Sequence, residues 1–302
     1  ILAGITVAMT MIPESLMFAI LAGFPPLVGL YGAFIMGLIT AIFGGRPGLI
    51  SGGAGATVVV LIALMKSHGL DYVFAAVVVA GVIQLTIGLL KLGKFIRLVP
   101  HPVMFGFVNG LAIIIFMSQI EQFKSGVHGS LTWVFDTPFY VMLGLVLLTI
   151  AIIMILPKFT KAVPASLVAI IVVFGVVYFG NINTKQVIDI ASVSGTLPPF
   201  HIPQVPFTFE TLQIILPYGL IMAAVGLTEG LLTLNLVDEI TGTKGNSNRE
   251  CLAQGSANVV NGFFFGMGGC PMIAQTLVNL SAGSRARLSG IIAAITILII
   301  IL

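Results

Sequence analysis

The chain has 302 residues, of which 58% are apolar and only 8% charged, with a mean hydropathy of +1.16. A water-soluble domain carries about a quarter charged residues because something must face water, so a soluble globular protein is excluded and the chain belongs in lipid. The net charge of +3 is informative through its placement along the chain, and the apolar runs are continuous, which excludes the alternating pattern of a β-barrel.

With about 20 apolar residues as a crossing length, the sequence predicts segments near 1–23, 25–45, 54–66, 71–93, 101–123, 136–159, 163–180, 210–240, 250–266, 271–283 and 288–302. The first holds Ile12-Pro13-Glu14-Ser15-Leu16, an acid within apolar sequence, and Phe18 follows Glu14 by four residues on the same helix face. The third and tenth are too short to span as helices. Each opens on glycines, Ser51-Gly52-Gly53-Ala54-Gly55-Ala56-Thr57 and Gly266-Met267-Gly268-Gly269-Cys270-Pro271, and each is therefore read as a broken helix. Irregular backbone at membrane depth persists only where protein or a water-filled cavity satisfies its polar groups. The eighth carries Glu229 deep in apolar sequence, with Thr233 four residues on and on the same face. A carboxylate in that position is costly unless protonated or paired with a cation.

If the first segment runs outward and the two short segments complete their crossings, the inner side collects Arg46, Lys91, Lys94, Arg97, Lys158, Lys161, Lys244, Arg249, Arg285 and Arg287. The outer side collects Lys66, Lys124 and Lys185. This asymmetry predicts a cytoplasmic N-terminal side in the plasma (inner) membrane. The connection 181–209, with Pro198, Pro199, Pro203 and Pro206, falls outside as an ordered extended loop. The chain starts and stops inside apolar stretches, which is expected of part of a longer protein.

The chain also repeats itself. Ile12-Pro13-Glu14-Ser15-Leu16 matches Leu227-Thr228-Glu229-Gly230-Leu231, and the pairs Gly52-Gly53 and Gly268-Gly269 follow their acids by 38 and 39 residues. Segment one thus pairs with eight and three with ten. The copies start seven segments apart, an odd number, so they insert with opposite orientation. Inverted repeats with paired broken helices point to a secondary transporter with a midplane site.

An anion in low dielectric must recover several kcal/mol of lost hydration. Two helix N-termini aimed at one point supply partial positive charge and free N–H groups without a fixed cation. Ala54, Gly55, Ala56 and Thr57 are small enough to let an anion approach the third segment, and Cys270, Pro271, Met272 and Ile273 take the matching positions on the tenth. The competing reading is that these glycines merely permit close packing. Other chemistry is not signalled. His68, His101, His128 and His201 are dispersed without zinc spacing. Cys251 and Cys270 support neither a disulfide framework nor a metal cluster, and the Gly-rich stretches lack the Lys or strand of a nucleotide loop. Neither an enzyme, nor a cofactor, nor a nucleic-acid partner is expected. Asp238, Glu239, Lys244, Arg249 and Glu250 gather at the inner end of segment eight as a solvated or salt-bridged rim, with a gating role as the alternative. Asn109 and Gln119 in segment five are read as bonding neighbouring helices.

The longer motifs carry a family resemblance. Pro13-Glu14-Ser15-Leu16-Met17-Phe18-Ala19, then Gly23-Phe24-Pro25-Pro26-Leu27-Val28-Gly29-Leu30-Tyr31-Gly32 and Phe43-Gly44-Gly45, resemble the opening signature of the SulP/SLC26 anion transporters. Gly106-Phe107-Val108-Asn109-Gly110-Leu111-Ala112 is similar to their fifth segment. Asn246-Ser247-Asn248-Arg249-Glu250, with Gly255 and Asn258, is similar to the turn between their eighth and ninth. The likeness runs the whole length and is strongest to bacterial members, including the cyanobacterial bicarbonate transporters.

The resemblance implies an all-α polytopic membrane protein of two inverted seven-segment repeats, each contributing to a mobile core and a gate. Residues 1–95 would be the first half of the core, 96–209 the first half of the gate with the outer loop, and 210–302 the second half of the core. About eleven segments are present, so the second half of the gate and a following cytoplasmic STAS domain are expected to be absent. A homodimer is expected of the full-length protein. The implied function is Na+- or H+-coupled transport of a small inorganic anion, of the bicarbonate or sulfate class, by elevator-like movement. A nucleobase:cation symporter of the same fold, an anion channel and a non-transporting scaffold are the alternatives. By the same resemblance, an acid and Thr at the positions of Glu229 and Thr233 hold Na+. The acid here is Glu, one methylene longer than the family's Asp, which leaves Na+ and H+ both open. An aromatic at the position of Phe18 lines the pocket, against the plain alternative of a packed Phe. Glu14 stands where many relatives have Gln, which permits either proton coupling or a hydrogen-bonding substitute. The family's Gly-Pro at the opening of segment three is Gly52-Gly53 here, and the Ser-Arg of many animal relatives is Ala274-Gln275.

Overall fold

The computed structural model describes residues 1–93, scattered positions from 102 to 135, and residues 136–160, 165–184 and 195–302. Segment five with its motif at 106–112 lies largely outside the described residues, as do Lys94, Arg97, Lys124, Lys161, Lys185, His101 and His128. In chain order the described elements are α1 (Leu2–Leu21), α2 (Pro26–Phe43), β1 (Ser51–Gly52), α3 (Gly55–His68), α4 (Leu70–Leu89), α5 (Thr137–Phe159), α6 (Ala165–Phe179), α7 (Phe209–Thr241), α8 (Ser247–Phe263), β2 (Cys270–Pro271), α9 (Ile273–Ser281) and α10 (Arg287–Ile301). The protein is helical, as expected, and among these helices α1, α2, α4, α5 and α7 are long and apolar enough to cross a membrane. The departure from an all-α fold is the pair of two-residue strands, which replaces helix at the two predicted breaks.

Local chemistry fixes the boundaries. Pro26 opens α2, where its missing N–H and fixed φ cost nothing. Thr208 accepts from the Thr211 N–H at 3.3 Å to open α7, and Asn246 accepts from the Arg249 N–H at 3.0 Å to open α8. Gly242, at φ +66°, closes α7 in the left-handed conformation that a side chain resists.

The contacts divide the chain into two compact units, 1–104 with 193–302 and 105–192. In the second, α5 packs on α6, and α5 buries none of its residues. In the first unit α8 packs most extensively on α4 and also against α2, α7 lies on α4 and α3, and α1 lies on α2, α9 and α10. The α4–α8 backbones approach at glycines. A Cβ on Gly81 would stand 2.6 Å from the Val259 N, and one on Gly255 2.6 Å from the Leu85 N. Such close approach is the means by which helices associate where lipid supplies no hydrophobic drive.

Between these helices α8 inverts the soluble pattern. Glu250, Gln254, Asn258 and Asn261, spaced by four, four and three, are all fully buried. In the bilayer a polar face turns inward, and here Asn258 and one oxygen of Glu250 find protein partners.

Candidate functional site

The two broken helices meet at their strands. β1 and β2 pair antiparallel, Ser51 opposite Pro271 and Gly52 opposite Cys270. From this register α3 and α9 leave the pair in opposite directions, each with its N-terminus toward it. Two further bonds fasten the junction: the Met272 N–H donates to the Ile50 carbonyl at 2.9 Å, and the Ile50 N–H to Thr276 Oγ1 at 3.0 Å. The N-cap residues are Ala54 and Met272, and neither supplies a side-chain bond to the helix it opens. The first N–H groups of an α-helix have no partners within the helix, so both termini present donors and the positive ends of their dipoles.

An amide network holds this junction from behind. Asn258 of α8 accepts from the Gly269 N–H at 2.9 Å and donates Nδ2 to the Gly269 carbonyl at 3.1 Å, clamping one peptide residue as a strand would. The same Nδ2 donates to Gln84 Oε1 of α4 at 2.8 Å. Gly268 (φ +70°) adopts a left-handed conformation just before the clamp.

The residues read from sequence distribute around this point. Ala54, Gly55, Ala56 and Thr57 are all buried. The Phe18 ring lies against this terminus, since a Cβ on Gly55 would come 2.5 Å from it. Thr57 Oγ1 donates to the Ala54 carbonyl at 2.9 Å, so its proton is committed and only its lone pairs remain. On the other broken helix Cys270, Pro271 and Met272 are buried and Ile273 is 37% exposed. Glu229 accepts from the Cys270 thiol at 3.2 Å, and Glu14 accepts from Nε2 of Gln275. Both acids, from α7 and α1, thus touch the segment that opens the second broken helix. Thr233 is fully buried and donates to the Glu229 carbonyl at 2.8 Å. A hydroxyl so committed offers lone pairs alone, and with a carboxylate one turn away that chemistry fits a hard cation.

Where α2 and α7 end, the expected solvated or salt-bridged rim holds at Asp238, which is ion-paired, and is corrected at Glu250. Glu250 is fully buried and accepts from the Gly45 N–H at 2.7 Å. Asp238 pairs with Arg46 at 3.2 Å, with only 6% of the Arg46 side chain exposed. Arg287 donates to the Ala41, Ile42 and Gly44 carbonyls at 3.0, 3.1 and 2.6 Å, and Arg249 to the Phe43 carbonyl at 2.8 Å. The orphan carbonyls of the α2 C-terminus thus take the Arg287 and Arg249 guanidiniums as donors. Glu239, Lys244 and Arg249 are exposed, as a solvated rim requires.

Gln84 carries no motif, and Gln275 stands out in the sequence only as a departure from the family pattern. A lone amide in an apolar segment was the available signal, because a buried amide there must find partners.

Compared with known proteins, the whole chain, residues 1–302, matches the sulfate permease family. It is 47% identical over 293 residues to the putative sulfate transporter YbaR of Bacillus subtilis, covering 97% of this chain and 59% of that protein. It is 35% identical to the bicarbonate transporter BicA of Synechocystis, covering 91% of this chain and 51% of that one. Among solved structures, the transmembrane domain of a cyanobacterial BicA superposes with a TM-score of 0.82 at 32% identity, over 99% of this chain and 80% of that domain. The chain therefore spans between half and three-fifths of the length of these curated relatives.

Proposed function

The chain belongs to the sulfate permease family, and from that premise we propose that it carries small inorganic anions of the bicarbonate or sulfate class across the plasma membrane as a secondary active transporter. The observation that carries this reading is the β1–β2 pair, which aims the uncapped N-termini of α3 and α9 at one point. The similarity to the putative sulfate transporter YbaR and the bicarbonate transporter BicA supports this substrate class. The anion would lie against Ala54, Gly55, Ala56 and Thr57 on one side and Cys270, Pro271, Met272 and Ile273 on the other, with Phe18 as a wall.

Coupling follows from electrostatics. Glu14 and Glu229 both border this point, and in low dielectric an ionised carboxylate repels an arriving anion by several kcal/mol. The anion enters when a proton or Na+ neutralises the acid, so cargo and cation load together. Glu229 Oε and the lone pairs of Thr233 are the ligands on offer to Na+, and Glu14 and Glu229 are the carboxyls that could hold a proton. The inverted repeat read from the sequence supports elevator-like movement of the unit bearing this site, and the Lys and Arg asymmetry supports a cytoplasmic N-terminal side.

The test is flux in proteoliposomes with labelled sulfate, bicarbonate and fumarate, each with and without Na+ and a pH gradient. Saturable uptake of an inorganic anion against its own gradient, driven by one of the two cations, is expected. Flux that follows only the anion's gradient would make the protein a channel, and no flux would favour a scaffold.

A further inference from the structure

The amide of Gln84 has one satisfied end and one unsatisfied end, and its orientation is fixed by chemistry. The Gly269 N–H can only donate, so the atom of Asn258 that faces it, 2.9 Å away, is the oxygen. Nδ2 of Asn258 therefore faces Gln84, and the atom of Gln84 receiving it at 2.8 Å is Oε1. That leaves Nε2 on the far side. Gln84 is fully buried, and among the described residues Nε2 has no hydrogen-bond partner. A buried amide nitrogen without an acceptor costs about 1–3 kcal/mol and calls for an explanation.

Its direction supplies one. Nε2 faces the side of α7 that Gly226 leaves bare. A Cβ on Gly226 would stand 3.1 Å from Nε2, 3.5 Å from Cys270 Cβ and 3.5 Å from Thr57 Cγ2. The orphan donor is thus aimed at the place where the first turn of α3, the strand before α9 and α7 converge, one helical turn from Glu229.

We propose that Gln84 is a specificity-determining residue of the anion site, whose Nε2 donates a hydrogen bond to an oxygen of the bound oxyanion, with Asn258 holding it in that orientation and Gly226 leaving the gap through which it reaches. The assignment rests on the transport reading given above. Between them the helix termini supply backbone donors from two directions, and Gln84 adds a neutral side-chain donor from a third. A neutral donor strengthens the hold on an anion without adding a fixed charge that the coupling cation would have to oppose.

Two variants separate this role from a purely structural one, read as half-saturation for labelled bicarbonate and sulfate uptake in proteoliposomes. Gln84→Glu keeps an oxygen for Asn258 Nδ2 but replaces the donor with a carboxylate, which repels an oxyanion it faces as well as failing to donate to it. Gly226→Ala leaves Gln84 intact, favours the helix and fills the gap in front of Nε2. Each is expected to raise half-saturation about tenfold or more, the size of one lost hydrogen bond to a charged group. Size-exclusion elution identifies a variant that has not folded, and if Gln84→Glu fails there, Gly226→Ala alone decides. Wild-type half-saturation in either folded variant overturns the assignment and reduces Gln84 to an anchor for Asn258. If the unsubstituted protein takes up neither anion, the transport reading fails and takes this one with it. If it transports normally while the folded variants match it, only the role of Gln84 falls.

Discussion

The Cys270 thiol donates to the Glu229 carboxylate across 3.2 Å, joining the strand that opens the second broken helix to the acid within α7. An ionised Glu229 is held at this place by a weak sulfur donor alone among its described side-chain partners, which is poor compensation for a carboxylate removed from water. Replacing the carboxylate with an amide of equal size, Glu229→Gln, keeps the packing and removes the group that would bind the coupling cation. Cation-driven anion uptake is expected to fall by on the order of a hundredfold, the equivalent of about 3 kcal/mol, while size-exclusion elution stays unchanged. Wild-type driven uptake in this variant would remove Glu229 from the coupling mechanism.

Asn258 is expected to matter to stability before it matters to transport. Asn258→Leu has similar bulk but strands the Gly269 N–H, the Gly269 carbonyl and Gln84 Oε1, all of which Asn258 satisfies. At about 1–3 kcal/mol for each orphaned buried group, a loss of at least about 2 kcal/mol is expected, visible as a lower thermal midpoint in detergent. A midpoint equal to that of the unsubstituted protein would mean that water replaces the clamp.

How much of this was legible in the sequence depends on the kind of signal. Long apolar runs gave the crossings directly, because hydropathy over 20 residues leaves few alternatives: segment 210–240 is α7, Phe209–Thr241. Glycine clusters marked both breaks, since only backbone freed from helix needs them there, and the two clusters meet as β1 and β2. The partners across the fold were not legible. Glu250 reads as surface because its neighbours Arg249 and Asn248 are polar, yet its side chain reaches Gly45, 205 residues away. Gln275 reads as a missing cation, whereas in the fold its amide meets Glu14 of α1. Sequence spacing reports faces within one element, and these pairings depend on which elements pack together.

Arg287 stabilises the end of α2 without touching the candidate anion site. Its guanidinium serves three backbone carbonyls, Ala41, Ile42 and Gly44, from a position favourable to the negative end of the helix dipole. Arg287→Ala is expected to lower stability by about 1–2 kcal/mol while half-saturation for the anion holds. Arg287→Lys should recover part of that loss, because an ammonium keeps the charge but cannot fork across adjacent carbonyls. Loss of anion affinity with unchanged stability would contradict this division of labour.

The α4–α8 contact predicts a graded series. At Gly255 even one methyl would press to 2.6 Å from the Leu85 N and 2.8 Å from the Gly81 carbonyl, and backbone cannot swing aside as a side chain can. Gly255→Ala is expected to cost about 1–3 kcal/mol through helix separation, despite the better helix propensity of Ala, and Gly255→Leu to abolish folded protein in the membrane fraction. A more stable Gly255→Ala variant would show that propensity outweighs packing at this crossing.

Ala56 tests the anion site by bulk alone. It lies in the first turn of α3, is 2% exposed, and neighbours Gly55, where the Phe18 ring approaches. Leu has nearly the helix propensity of Ala, so Ala56→Leu leaves the helix intact and places an isobutyl group where the anion is proposed to meet the backbone N–H groups. Anion uptake is expected to be lost, whereas Ala56→Ser, which adds one oxygen, retains uptake within about threefold, a difference under 1 kcal/mol. Overpacking accounts for about 1–3 kcal/mol of any destabilisation, so the comparison is made on protein that elutes as a single species. If Ala56→Leu binds and transports sulfate and bicarbonate with unchanged affinity, the anion does not sit against this terminus, and the positive end of α3 serves the fold rather than the cargo.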